Sequence, residues 1–274
     1  LLSTAPSLAP RGHMLLRLSA LLLAVFASHA ALAQNNTFEL HLDGKKIGKD
    51  TFTISKAKQG YKISSHYSYS TLGYEGQYNA EYHFDDNYSL IDCGLDNTGT
   101  MLHYAYTPNK AMSAINISTM QVGSQSSEFV DIKPDFLPNF DPAAAQALLL
   151  HALTHPTPDN KYNVLIPSFH SAPSGGGGKG SAPAAAPTAA PAGDSLPPGN
   201  HAYEAVWIKG GPLTGTLAGR PIKIGTYALA FGNFRWIFFA DEQNNLMQLN
   251  VTLIRASYIR SDFRLDPPKQ AMPQ

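Results

Sequence analysis

Cysteine is almost absent from this chain. One residue, Cys93, occurs in 274, so no internal disulfide can form. A chain without a bridge relies on its core, which a domain of about 200 residues can supply. A lone cysteine is also no zinc site, and Cys93 reads as a small buried apolar residue. Charge is sparse as well: 15% of residues are charged, and Lys plus Arg equal Asp plus Glu at 20 each. That balance leaves no footprint for nucleic acid and no polybasic segment for an anionic membrane. Hydrophobic residues make up 43%, which excludes disorder across the whole chain. The apolar run from Leu18 through Phe26 is shorter than the ~20 residues of a spanning helix.

Catalytic motifs are missing too. There is no Gly-x-Ser-x-Gly elbow, no His-Glu-x-x-His, and no Gly-x-Gly-x-x-Gly between a strand and a helix. Gly178-Lys179 superficially suggests a phosphate loop, but Pro173 stands where its first glycine belongs and Gly180 replaces the Ser/Thr. Asp85-Asp86-Asn87 begins like a calcium loop without the central glycine or the closing glutamate. Asp135 and Asp141 flank a helix entrance, where capping accounts for Asp141. His66, His83 and Glu81 lie on the polar phase of their strands, as residues of a solvated face do, and match no metal-ligand spacing. His151 and His155 close a helix, where the dipole favours histidine. The expectation is no catalytic residue, no cofactor and no metal, and the chain reads as non-enzymatic.

What is present begins with an address. Arg17 follows Met14, then comes the apolar run, and Ala31-Leu32-Ala33 supplies the small-x-small pattern of a signal-peptidase site. Residues 14–33 therefore read as a signal peptide, with Gln34 as the new N-terminus and Leu1 to His13 as translated leader. No cysteine stands at the cleavage point to carry a lipid. The expected location is periplasmic or extracellular, of bacterial type, with no transmembrane segment in the mature form. From Ser171 to Asn200 the composition collapses to Ser, Gly, Ala and Pro, the mark of a flexible linker. Residues 34–170 and 201–266 are expected to build one β-rich domain around it, because the C-terminal part alone is small for independent stability.

In both parts the dominant period is two. Phe38, Leu40 and Leu42 alternate with Glu39 and His41 before an Asp43-Gly44 turn, and Tyr78, Ala80, Tyr82 and Phe84 alternate with Asn79, Glu81 and His83. After the linker, strands are expected over Tyr203–Ile208, Ile222–Phe231, Arg235–Ala240, Met247–Ile254 and Tyr258–Leu265. One helix interrupts them, from an Asp141 cap and Pro142 to about Leu153, apolar nearly all round and so buried on more than one side. The fold class is mainly β, a curved antiparallel sheet forming a half-barrel or open barrel, with the 141–153 helix in its concavity.

Tyrosines crowd the apolar phase of these strands. Tyr67, Tyr69, Tyr78, Tyr82 and Tyr104 are the candidate ligand-binding residues, offering broad apolar contact with a polar tip. The partner expected on them is an apolar small molecule or an envelope protein. The alternative is a structural or protein-interaction module in which the same tyrosines simply fill the core.

Three segments carry a family likeness. FELHLDGKKIGKDTFTI resembles the first hairpin of bacterial periplasmic β domains of unknown function. DFLPNFDPAAAQALLLHAL with YNVLIPS, and the closing WIFFADEQNNLMQLNVTLIRASYIRSDFRL, resemble the accessory domain found ahead of some secreted α/β-hydrolases. The resemblance implies an exported β domain, either accessory to a hydrolase or a remnant of one. The likeness covers no hydrolase segment, so no catalytic residue is expected to carry over from it. A more distant likeness, at the level of fold alone, is to the half-barrel of lipoprotein carriers.

Overall fold

The computed structural model describes residues 36–71, 74–97, 102–121, 123–132, 135–138, 141–166 and 201–267. The expected signal peptide and the linker over 171–200 lie outside the described residues.

Strands β1 (Asn36–Leu42) and β2 (Lys45–Lys56) form a hairpin. Its turn is Asp43-Gly44, both at positive φ (50° and 75°), the geometry that the twist of a two-residue hairpin demands. A meander follows, each strand antiparallel to the one before: β3 (Tyr61–Thr71), β4 (Tyr74–Phe84), β5 (Leu90–Asn97), β6 (Leu102–Pro108), β7 (Ala114–Gln121) and β8 (Ser124–Asp131). The short β9 (Phe136–Pro138) leads to helix α1 (Pro142–Thr154) and then to β10 (Lys161–Ile166), which lies parallel to β9.

The C-terminal part supplies β11 (His201–Lys209), β12 (Leu213–Leu217), β13 (Arg220–Phe231), β14 (Phe234–Ala240), β15 (Leu246–Val251), β16 (Ala256–Arg260) and β17 (Phe263–Leu265). Two antiparallel ladders tie it to the N-terminal part, β10 to β11 and β16 to β1. The hydrogen-bonded order is β9-β10-β11-β13-β14-β15-β16-β1-β2-β3-β4-β5-β6-β7-β8. This is a large, mainly antiparallel open sheet, curved but not closed into a barrel. Strand β12 pairs with the first part of β13 and with β17, around a second small core of Ile224, Phe239, Met247 and Phe263.

Helix α1 packs on β2, β3, β9 and β15. Asp141 caps it by accepting from the Ala144 amide at 2.9 Å, Pro142 occupies its first turn, and every residue from Pro142 to Leu149 is buried. Its one polar residue in that stretch, Gln146, clamps the turn between β14 and β15. Gln146 Nε2 donates to the Asn244 carbonyl (2.9 Å), and Gln146 Oε1 accepts from the Leu246 amide (2.6 Å).

The structure adds strands that the apolar alternation did not mark. β8 (SQSSEFVD) is exposed along nearly its whole length, so neither of its faces is selected to be apolar. β12 is held by its ladders to β13 and β17 and carries glycine at its centre. The expected Met247–Ile254 strand ends at Val251 in a 3-10 turn, with Arg255 at φ 53°. The Tyr258–Leu265 strand is split by a turn at Ser261-Asp262.

Candidate ligand site

Register sets the inner face of the sheet into rows that run across the strands. One row is Phe38, Asp50, Tyr67, Tyr78 and Asn97. On one side of it comes Leu40, Gly48, Tyr69 and Gly76, and on the other Phe52, Ser65, Ala80, Leu95 and Tyr104. Beyond that lies Ile54, Ile63, Tyr82, Cys93 and Tyr106.

Three of the five candidate tyrosines meet in a stack. The Tyr67 and Tyr78 rings are parallel to within 5° with centroids 4.6 Å apart, and Tyr69 lies 6.4 Å from Tyr67 and 6.1 Å from Tyr78. All three are half-buried. Gly76 makes this possible: a Cβ there would stand 2.6 Å from the Tyr69 Cζ, so the ring lies flat over bare backbone. The other two candidates are sealed in the core, Tyr82 at 1% exposure and Tyr104 at 5%. Cys93 is a buried free thiol whose pKa is pushed well up by burial, which leaves it neutral.

Beside Tyr67 in the same row stands Asp50, one of a pair of buried carboxyls with Asp141. Asp50 is 1% exposed and Asp141 3%. Asp141 accepts from the Tyr82 hydroxyl at 2.6 Å and from the Ala144 amide, and the Ala143 amide adds a further bond. Asp50 has a single donor, Ser65 Oγ at 2.9 Å, and its Oδ2 has no hydrogen-bond partner. Burial raises both carboxyls above the usual range, and the charge of Asp141 raises Asp50 further. With three donors against one, Asp141 is better placed than Asp50 to hold the negative charge. Tyr67, Tyr82 and Tyr258 are also raised, chiefly by burial and then by neighbouring charges and phenols that include Asp141.

The opposite, outer face gathers histidines. His83 Nδ1 lies 2.6 Å from Asp92, His103 Nδ1 2.6 Å from Asp96, and His66 Nδ1 2.7 Å from the Asn79 side chain. Glu81 bridges Lys62 (2.7 Å) and His83 Nε2 (3.2 Å). The three histidines, Asn79, Glu81, Asp92 and Asp96 line a shallow concavity of about 580 Å³. Two strands, β4 and β5, lie between His66 and His103, and among the described residues no group of three or more His, Cys, Asp or Glu is placed to hold a metal ion. His151 donates from Nδ1 to the Asn87 carbonyl at 2.7 Å, and burial lowers its pKa below the usual histidine value. His155 stacks on it at 5.6 Å.

No protein-family model matches the chain, and no curated protein is significantly similar to it.

The inner site presents a contact surface. It has aromatic faces with some exposure, a glycine-bared floor and an under-bonded carboxyl, but its thiol and most of its phenols are held neutral by burial. Sequence reasoning missed Asp50 and Ser65. The signal was present, because Asp50 stands on the same phase of β2 as Phe52 and Ile54, where only a paired or protonated carboxyl is tolerated.

Proposed function

We propose that this chain is an exported, non-enzymatic β domain that binds an apolar or amphipathic ligand against Tyr67, Tyr69 and Tyr78. The observation that supports this reading is the half-buried tyrosine stack itself. Tyr82 and Phe84 on the same face are sealed, whereas the three stacked rings keep some exposure. The Met14–Ala33 pattern supports export, and the ladders β10–β11 and β1–β16 support one domain built from both sides of the linker. The segments that resemble periplasmic β domains agree with this placement. The test is titration of the delipidated protein with an environment-sensitive fluorescent fatty probe. Saturable binding weakened at least ~5-fold by Tyr67→Ala or Tyr78→Ala supports the reading. Absence of binding, or binding indifferent to both substitutions, removes it.

A second reading is an envelope-protein partner at the sheet edge. Strand β8 has a ladder to β7, and Phe129 on it is 76% exposed. An extended segment of a partner adding to β8 would cover that ring. Capture of a defined partner that survives Tyr67→Ala and is lost in Phe129→Asp would favour this reading over the first.

A further inference from the structure

We infer that the tyrosine site selects amphiphiles with a positively charged head, for which the Asp50 carboxylate is the counter-ion. This rests on the ligand reading above and names the ligand's chemistry. Asp50 Oδ2 is buried without a partner, a condition that native structures seldom leave standing. Asp50 is the cross-strand neighbour of Tyr67, which is the cross-strand neighbour of Tyr78, so the carboxyl and these two half-buried rings share one row of one face. The groups that face it are Ser65 and Tyr67 on β3, Tyr82 on β4, Tyr258 on β16 and Asp141 at the head of α1. None of them is a cation. Arg260, the one lysine or arginine buried among the described residues, is spent on Asp262 at 2.7 Å and on Asn36.

An anionic head placed here would meet Asp141's charge in a low-dielectric setting, with no positive group to offset it. A cationic head meets aromatic faces, which attract cations through the ring quadrupole, and a carboxyl ready to ionise. Cation uptake is linked to loss of the Asp50 proton to solvent, one proton leaving for each cation bound.

The experiment is calorimetric titration of the delipidated full chain with dodecylammonium, dodecanol and dodecanoate, each in two buffers of different ionisation enthalpy. Dodecylammonium is expected to bind at least ~10-fold more tightly than dodecanoate. Its binding should release one proton, while dodecanol binding releases none. Asp50→Asn, with its fold checked by circular dichroism, should erase the preference and keep dodecanol affinity. Equal affinity for the three heads, no proton release, or a preference that survives in Asp50→Asn overturns the head-group inference and leaves the tyrosine surface intact. No binding of any probe removes both. The proton count on the unmodified chain decides the matter even where Asp50→Asn does not fold.

Discussion

The Tyr82 hydroxyl donates to Oδ2 of Asp141 across 2.6 Å, joining the C-terminal end of β4 to the cap of α1 inside the core. The same carboxylate holds the helix amide of Ala144 through its other oxygen. One side chain thus both starts the helix and seats it on the sheet. Tyr82→Phe keeps the ring and removes the tie. A hydrogen bond to a buried charged acceptor is worth about 1.5–3 kcal/mol, and urea unfolding should show a loss of that size. A loss below about 0.5 kcal/mol would mean that the helix is seated by packing alone.

Gln146 is the second tie, between α1 and the turn after β14. Its amide makes both available bonds to that turn, to the Asn244 carbonyl and from the Leu246 amide. Gln146→Met conserves length and volume but strands both backbone groups. The expected cost is roughly 2–4 kcal/mol, larger than a conservative core swap. Amide exchange at Leu246 should accelerate in the same variant, while exchange in β4 changes only with the global stability.

Much of this architecture is legible in the residues, and the limits of that legibility have physical causes. The alternation in β3 and β4 marks the inner face because that face is apolar and the other is wet. The Asp141-Pro142 start of α1 is read from capping chemistry that acts locally, and so is the Asp43-Gly44 turn. Strand β8 has no such mark, since exposure on both faces leaves its composition free. The site was half legible. Periodicity places Tyr67, Tyr69, Tyr78, Tyr82 and Tyr104 on one face, but which rings are sealed and which stay half-buried depends on tertiary packing. The pairing of Asp50 with Asp141 joins residues far apart in the chain, and no local pattern encodes it.

Asp50 makes stability depend on pH in a direction opposite to a salt-bridged carboxylate. Its folded-state pKa is raised by burial and by the charge of Asp141. The folded state therefore holds the proton more tightly than the unfolded chain does. That contribution is full below about pH 3.9, the unfolded value, and fades as pH rises through the raised folded value. Asp50→Asn retains an acceptor for Ser65 and cannot ionise. Relative to the unmodified chain it should gain stability between about pH 4 and pH 8. Urea midpoints of both proteins at the two pH values check this, and a difference that stays constant would show that Asp50 titrates alike in both states.

Gly76 sets the shape of the tyrosine surface from below, and its substitution separates surface from fold. An added methyl would crowd the Tyr69 ring, which is the free end of a side chain and can swing away, whereas the β3–β4 ladder is backbone and stays. Gly76→Ala should therefore cost little stability, about 1 kcal/mol or less once the lower chain entropy of alanine is counted. It should break the Tyr69–Tyr78 contact, now 6.1 Å between centroids, and open the stack. Near-ultraviolet circular dichroism, which reads tyrosine environment, should change while the far-ultraviolet spectrum does not. Binding of a fatty probe should weaken along with the near-ultraviolet signal. An unchanged near-ultraviolet spectrum would show that the ring is placed by something other than the bare backbone of Gly76.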